Sequence, residues 1–371
     1  MISSMLAERI AAGDFPSAVY MVAERGRARF ADALGQAVNE PAPNRHAATL
    51  DTIYDLASLT KPLVTGLLCA RRIESGEFSL DGEVGFYLPE FDRFDKCTIT
   101  LGQLLTHTSG LPAWRPFYIE AEDRTDVLRV IAEQPLEAAP GTRVRYSDLG
   151  FITLGLLLEK LSGAPLYEIA RREIFEPLGL KRTFFNPDVG LQAEVAACEL
   201  GNAYEREMCR ELKMRDWAHW REQLIWGEVH DGNAHFLGGA AGHAGLFSTA
   251  PETARLAEQF IPGSTRLLRP ETCALFRTNM TEGMEEARSV AWELAATNGS
   301  TAGPSLPPDS FGHTGFTGTS CWIDAAHERT FILLTNRTHA RSRPFVNING
   351  VRRAFHQLAV AALEEEKSQR G

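Results

Sequence analysis

In the stretch YDLASLTKPLVTG, Tyr54 to Gly66, a serine and a lysine stand three residues apart. On a helix that spacing puts Ser58 and Lys61 on one face and within mutual reach. A serine hydroxyl alone is a poor nucleophile, and a basic neighbour is one way to activate it for attack on an acyl carbon. Pro62 has no N–H to give, so it belongs in the first turn of the helix that runs on through LVTGLLCARRIESG. Ser58 then lies at the helix start, where its own N–H is among the donors that no helix carbonyl accepts and the positive end of the macrodipole is close. A nucleophilic oxygen, half of an oxyanion hole and a basic neighbour coincide there. Lys61, as the residue before a proline, prefers extended geometry, so a regular first turn is not expected. Taken alone, S-x-x-K is also the pattern of a helix N-cap followed by a solvated lysine. The chemistry needs partners elsewhere in the chain.

Two later stretches offer them. In PGTRVRYSDLGFITLG, Tyr146 and Asp148 flank Ser147 in a turn that leads into an apolar helix. A phenol there could exchange a proton with Ser58 if the fold brings the two together. The same residues also read as an N-cap, Asp148, beside a half-buried aromatic whose hydroxyl is satisfied locally. In GHTGFTG, His313, Thr314 and Gly315 open a glycine-rich strand. Glycine lets a backbone approach a ligand closely, and an edge strand offers N–H groups to an extended amide or an oxyanion.

The elements that must position these residues come from both ends of the chain. AVYMVAERGRARFADALG reads as two strands joined at ERGR, and FGHTGFTGTSCWIDAAHERTFILLTNR as two more. NGVRRAFHQLAVAALEEEK closes the chain with a helix, and a short amphipathic helix opens it. Between them lie TLGQLLTHTSGLP, DVLRVIAEQP, DLGFITLGLLLEKLSG, PLYEIARREIFEPLGL and PETARLAEQF, helical signals punctuated by Gly and Pro. The expected organisation is an α/β domain of residues 1–60 and 259–371, its sheet assembled from both termini, with a mainly helical domain, 61–258, inserted. The site belongs at their interface.

Composition narrows the function classes. The 371 residues, 44% hydrophobic, can bury a large core. Acidic residues outnumber basic ones 48 to 38, a formal charge of −10, and no dense Lys/Arg stripe appears, so nucleic acid is not expected as a partner. Charges interrupt every apolar run near the N-terminus, and no segment reaches the length that spans a bilayer, so the protein is expected in the cytoplasm and off the membrane. The six cysteines are scattered without a C-x-x-C pair and suggest neither a zinc site nor a disulfide framework.

The order and content of the three motifs, S-x-x-K, then Y-x-N or a variant, then K-T-G or H-T-G, resemble the signatures of class C β-lactamases, penicillin-binding DD-peptidases and related serine esterases. LLTHTSGLP, GLFSTAPETARLA and LLTNR are also worded like this superfamily. GEVHDGNAHFLGGAAGHAGLFSTA, Gly227 to Ala250, is similar to a segment of penicillin-binding-protein-4B-like proteins and of amidases that act on muropeptides. There His230, Asp231 and Asn233 either line the cleft or form a loop bonded to itself, with Gly238, Gly239, Gly242 and Gly245 serving a tight turn. His230, His235 and His243 fit no usual zinc spacing, and the resemblance implies neither metal nor cofactor.

The resemblance implies a β-lactamase/transpeptidase-like fold and a serine acyl-transfer hydrolase. Ser58 would be the nucleophile, Lys61 and Tyr146 its proton network with either as the base, and the N–H groups of Ser58 and Phe316 the oxyanion hole. The substrate would be a small molecule or peptide: a muropeptide amide, a D-Ala peptide, an ester or a β-lactam. A non-catalytic binder of peptidoglycan fragments is the rival of another class. Two positions depart from the lactamase pattern. Asp148 stands where asparagine is usual, and His313 where lysine is usual, both changes against efficient β-lactam hydrolysis. An unperturbed imidazole titrates near pH 6.5, so His313 is expected to gain charge, and to favour a carboxylate substrate, as pH falls from about 8 to about 6.

Overall fold

The computed structural model describes residues 1–93, 95–339 and 343–370. In chain order the strands are β1 (Ser17–Glu24), β2 (Arg27–Val38), β3 (His46–Ala47), β4 (Tyr54–Asp55), β5 (Phe184–Phe185), β6 (Leu246–Ser248), β7 (Glu293–Leu294), β8 (Phe311–Thr314), β9 (Ser320–Asp324) and β10 (Arg329–Thr335). Seven of them form one antiparallel sheet in the order β3-β2-β1-β10-β9-β8-β7. The junction of the two chain ends is its centre, where β1 pairs with β10 from Ala18 opposite Thr335 to Glu24 opposite Arg329.

Alternation along these central strands divides two cores. Ala18, Tyr20 and Val22 of β1 and Phe331 and Leu333 of β10 pack against the first helix, Ile2–Ala11, and the last, Asn349–Arg370, through Ile2, Leu6, Phe355 and Ala359. Val19, Ile332 and Leu334 point the other way, into a larger cluster that includes Leu63 and Leu67 beyond Ser58, and Leu149 and Leu154 from the helix Asp148–Ser162. Both faces are covered, which is why β1 and β10 read as nearly unbroken apolar runs.

The sequence read two strands in the FGHTGF to LLTNR stretch; the structure has three. The turn Gly315–Gly318 separates β8 from β9, closed by Gly315 N–H donating to Thr319 O (2.8 Å) and Gly318 N–H to Gly315 O (3.1 Å), with Gly318 at φ +109°. The small sheet β4-β6-β5 was not legible beforehand, because two- and three-residue strands carry no periodicity. The helical signals hold as Leu101–Leu105, Val127–Glu133, Asp148–Ser162, Leu166–Leu178 with a π-helical turn, and Ala250–Ala257. Among the described residues no single helix is long and apolar enough to cross a membrane.

One contact sets the spacing between the helix Asp148–Ser162 and the segment that faces it. A Cβ on Gly155 would lie 2.8 Å from Gly242 Cα, and one on Gly242 would lie 2.0 Å from Phe151 O. Backbone therefore packs directly on backbone, and Thr65 Oγ1 ties the same segment down by donating to Gly242 O (2.7 Å). Gly242→Ala should destabilise the fold by about 1–3 kcal/mol, since no flexible side chain is there to yield. A urea denaturation midpoint unchanged from wild type would show that these segments do not touch.

Candidate active site

The helix carrying Ser58 starts irregularly. Ala57–Leu59 make a 3₁₀ turn, Lys61–Gly66 a π-helical turn with Pro62 at its start, and Leu67–Glu74 the α-helix proper. Ala57 sits at φ +49°, a costly region for a residue with a Cβ. Asp55 Oδ1, accepting from Ala57 N–H (2.8 Å), and Thr60 Oγ1, donating to Ala57 O (2.7 Å), hold it there.

Lys61 is wholly buried, and its Nζ donates to Ser58 Oγ (2.9 Å) and to His243 O (3.1 Å) and stands 2.7 Å from Asp148 Oδ1. Burial alone would lower the pKa of this ammonium. The Asp148 carboxylate and the Tyr146 phenol beside it outweigh burial, and the pKa is raised. The Tyr146 hydroxyl interacts with both Ser58 and Lys61, and Lys61 Nζ lies 5.0 Å from the centre of its ring. Burial raises the pKa of the phenol more than Lys61 lowers it, so Tyr146 rests neutral. The N-cap of the following helix is Ser147, whose Oγ accepts from Gly150 N–H (3.3 Å), and not Asp148. Asp148 is thereby left for Lys61.

The glycine-rich turn comes to the same place. A Cβ on Gly315 would lie 2.5 Å from Leu56 O, so only glycine permits this approach to the segment before Ser58. Thr317 Oγ1 donates to Asp55 O (2.7 Å) and Thr319 Oγ1 to Leu56 O (2.9 Å). From the last helix, the Arg352 guanidinium donates to Gly315 O (3.0 Å) and Thr319 O (2.9 Å). Phe316 and Ser58 thus both line a cleft of about 500 Å³, together with Tyr146, Asp148, Thr314 and Gly315.

His313 also lines the cleft, but not as the sequence led us to expect. Its Nδ1 lies 2.8 Å from Thr314 O, which can only accept, so Nδ1 carries the proton and Nε2 is a bare acceptor. That Nε2 is buried with no partner among the described residues. Burial, then the charges of Lys61 and Arg288, push the imidazole pKa well below its ordinary value. The expected gain of charge between about pH 8 and about pH 6 is therefore corrected: His313 stays neutral there.

In the 227–250 segment His230 and Asp231 line the cleft, and Asn233 does not. Asn233 is buried, with Oδ1 accepting from Phe117 N–H (2.8 Å) and Nδ2 donating to Arg115 O (2.8 Å). Its expected role in binding is corrected to bracing the backbone at 115–117. His230 Nε2 pairs with Glu199 Oε2 (3.0 Å), its N–H donates to Asp55 Oδ2 (2.8 Å), and its ring stacks on Phe316 at 5.5 Å. Burial works against the imidazolium, but Glu199 prevails and the pKa is raised. Asp231 caps the short helix Gly232–Phe236 and accepts from His243 Nε2 (2.9 Å); burial opposes ionisation, but His243 holds the carboxyl well below its usual range. The glycine reading also holds in part, since Gly238, Gly239 and Gly245 have left-handed φ.

The three histidines weighed as metal ligands do not converge. His230 pairs with Glu199, His235 lies 3.7 Å from Glu228, and His243 pairs with Asp231. Among the described residues, Asp148, Asp231 and His243 do bring ligand atoms within 4.8 Å of one another, but the Lys61 ammonium already stands against Asp148.

Two neighbours were missed. His107 stacks on Tyr146 with ring centres 4.5 Å apart, its Nδ1 accepting from Ser147 N–H (3.0 Å), and Arg288 lies 5.9 Å from the centre of the Tyr146 ring. His107 falls in LLTHTSGLP, which drew notice only as wording; no pattern surrounds Arg288.

The sequence model of the family described as Beta-lactamase matches residues 2–353. The chain belongs to the β-lactamase family. It is 33% identical over 317 residues to a putative D-alanyl-D-alanine carboxypeptidase of Escherichia coli K12, covering 79% of this chain and 71% of that protein. Among solved structures it resembles EstCE1, a hydrolase with promiscuous acyltransferase activity (TM-score 0.73, 22% identity, 96% of this chain and 97% of that one). It also resembles a β-lactamase/D-alanine carboxypeptidase from Pseudomonas syringae (TM-score 0.73, 19% identity, 96% and 97%). The fold is thus β-lactamase/transpeptidase-like, and this family member is a serine hydrolase of amide or ester bonds.

The buried His313 makes a pH prediction. Its imidazole NMR signals should not titrate between about pH 8 and about pH 6, and a midpoint near 6.5 would refute the neutral assignment. Unfolded, the same side chain titrates near pH 6.5 and takes up a proton that the folded state refuses, so stability falls as pH drops below about 6.5. His313→Asn should make that decline shallower in urea melts run across this range.

Proposed function

We propose that Ser58 is the nucleophile of this hydrolase and that Lys61, Tyr146 and Asp148 form its proton network. The observation that carries this reading is the contact of Lys61 Nζ with Ser58 Oγ at 2.9 Å, beside a cleft that Ser58 and Tyr146 line, with the Tyr146 ring centre 5.0 Å from the same Nζ. Lys61 donates to Ser58 Oγ, which leaves the serine's own proton free to pass to Tyr146. A neutral phenol relays: it accepts the Ser58 proton as its own moves to the leaving nitrogen or oxygen, while the ammonium offsets the negative charge that develops between them. The N–H groups of Ser58 and Phe316 receive the oxyanion, where each such donor is worth about 2.7–4 kcal/mol. Water, activated by the same phenol, then releases the acyl group.

The substrate in this reading is a small amide or ester, with cell-wall fragments such as muropeptides and D-Ala peptides foremost, in keeping with the naming of the carboxypeptidase relatives. The neutral His313 offers no fixed positive charge for a carboxylate at its position, which disfavours penicillins as good substrates.

Incubation with a fluorophosphonate followed by intact-mass and peptide analysis should place one adduct on Ser58, and Ser58→Ala should abolish both the adduct and hydrolysis. Lys61→Ala and Tyr146→Phe should each lower kcat/KM by about 100-fold or more. Wild-type turnover by Ser58→Ala would sink the assignment. p-Nitrophenyl esters should be hydrolysed faster than penicillins, and penicillin turnover matching an efficient β-lactamase would contradict the substrate reading.

A further inference from the structure

A second cavity, of about 290 Å³, is lined by residues outside the three motifs. Tyr118, Trp217, Trp220 and Phe236 give it aromatic walls, and Glu205 lines both this cavity and the Ser58 cleft, so the two share a wall. The rings are packed into one cluster. The Tyr118 ring centre stands 4.8 Å from that of Trp217 and 5.7 Å from that of Trp220, and the two indoles meet edge to face at 5.1 Å. Trp220 Nε1–H finds no acceptor among the described residues. The polar wall is equally fixed: the buried Glu205 accepts from Gly232 N–H (2.7 Å) on one oxygen and from the Tyr118 hydroxyl (2.7 Å) on the other, which leaves each oxygen room for a further donor.

Opposed charges in this wall select a neutral ligand. Arg221 lines the cavity with Glu205, so a cation meets the guanidinium and an anion meets the carboxylate. The guanidinium is held in place by donating to Asn202 Oδ1 (2.9 Å), Val229 O (2.7 Å) and His230 O (2.6 Å). Burial, then Arg221, lower the pKa of the His235 imidazole on the same wall, which adds no charge of its own. Burial and the Asp231 carboxylate raise the pKa of Glu205, which weakens it as an anchor for a cation. A purely apolar ring would cover the aromatic faces and leave the polar atoms of Glu205 and Trp220 unpaired, at a cost. A pyranose answers both demands, with C–H groups on its face and hydroxyls, each donor and acceptor, around its edge.

We propose that this cavity is a binding site for a neutral saccharide ring, its face on the Tyr118, Trp217 and Trp220 cluster and its hydroxyls toward Glu205. The site is separate from the chemistry at Ser58 and does not depend on which residue is the nucleophile.

Ligand-observed NMR titration of the full chain with methyl β-glucoside and methyl β-N-acetylglucosaminide tests this. At least one should bind saturably with a Kd at or below about 10 mM. At saturation it should change p-nitrophenyl acetate hydrolysis by less than about 2-fold, because it lies outside the Ser58 cleft. Trp217→Ala should weaken binding about 5-fold or more, and Trp217→Phe, which keeps an aromatic face, should lose less. An unchanged urea midpoint shows that both variants fold. No saturation by either glycoside up to about 50 mM overturns the inference. So does undiminished affinity in a folded Trp217→Ala protein, or tighter binding of tetramethylammonium or cyclohexanol than of the glycosides. Competitive inhibition of ester hydrolysis overturns it too, since the sugar would then occupy the Ser58 cleft. A wild type that hydrolyses no ester counts against the Ser58 reading, and the titration still decides the saccharide site.

Discussion

A lysine ammonium sealed from water must be matched by its surroundings or it unfolds them, and Lys61 is wholly buried. Removing such an ion from water costs several kcal/mol even after relaxation, which only close and well-aimed partners offset. Its own helix start and two segments distant in sequence provide them: Ser58 three residues before it, Asp148 from the start of the next long helix, and the carbonyl of His243 from a glycine-rich loop. The geometry of the site is therefore also a requirement of the fold. The helix Asp148–Ser162 can come close enough because Gly155 and Gly242 meet without side chains between them.

The stretch of cleft wall that carries Phe316 is held by contacts as close as those around Lys61. The segment ahead of Ser58 bends through a left-handed Ala57, and the turn after β8 is stitched to it by Thr317, Thr319 and the close approach of Gly315. The N–H groups of Ser58 and Phe316 thus belong to two chain ends that the central pairing of β1 with β10 brings together. Arg352, from the last helix, braces the same turn, so packing on the far side of the sheet reaches the cleft through two hydrogen bonds.

Charge in the cleft is distributed by the same constraint. With Lys61 and Arg288 positive nearby and water excluded, His107 and His313 are pushed well below their usual pKa and stay neutral, whereas His230, backed by Glu199, is pushed up. Imidazoles of one residue type thus take different roles according to what lies behind them. A family resemblance alone carries none of this, since it speaks of residue positions and not of the carboxylates and guanidiniums packed around them.

The outline was legible along the chain: strand-like apolar runs at both ends, helical spacing between, and three short motifs that resemble one family. Ser58, Lys61, Tyr146, Asp148, His313 and Phe316 were legible as candidates, because their signals are local spacing, turn chemistry and resemblance. Which of two readings each polar residue takes follows instead from the contacts of the folded chain. Asn233, equally polar and two residues from Asp231, turns inward to bind backbone, and Ser147, not Asp148, caps its helix. His313 keeps its place at the cleft and loses its expected charge. For Asn233 and His313 the cause is the same, since partners and burial come from segments far away along the chain that neither spacing nor composition encodes, whereas Ser147 caps Gly150 within its own turn and leaves Asp148 to the distant Lys61.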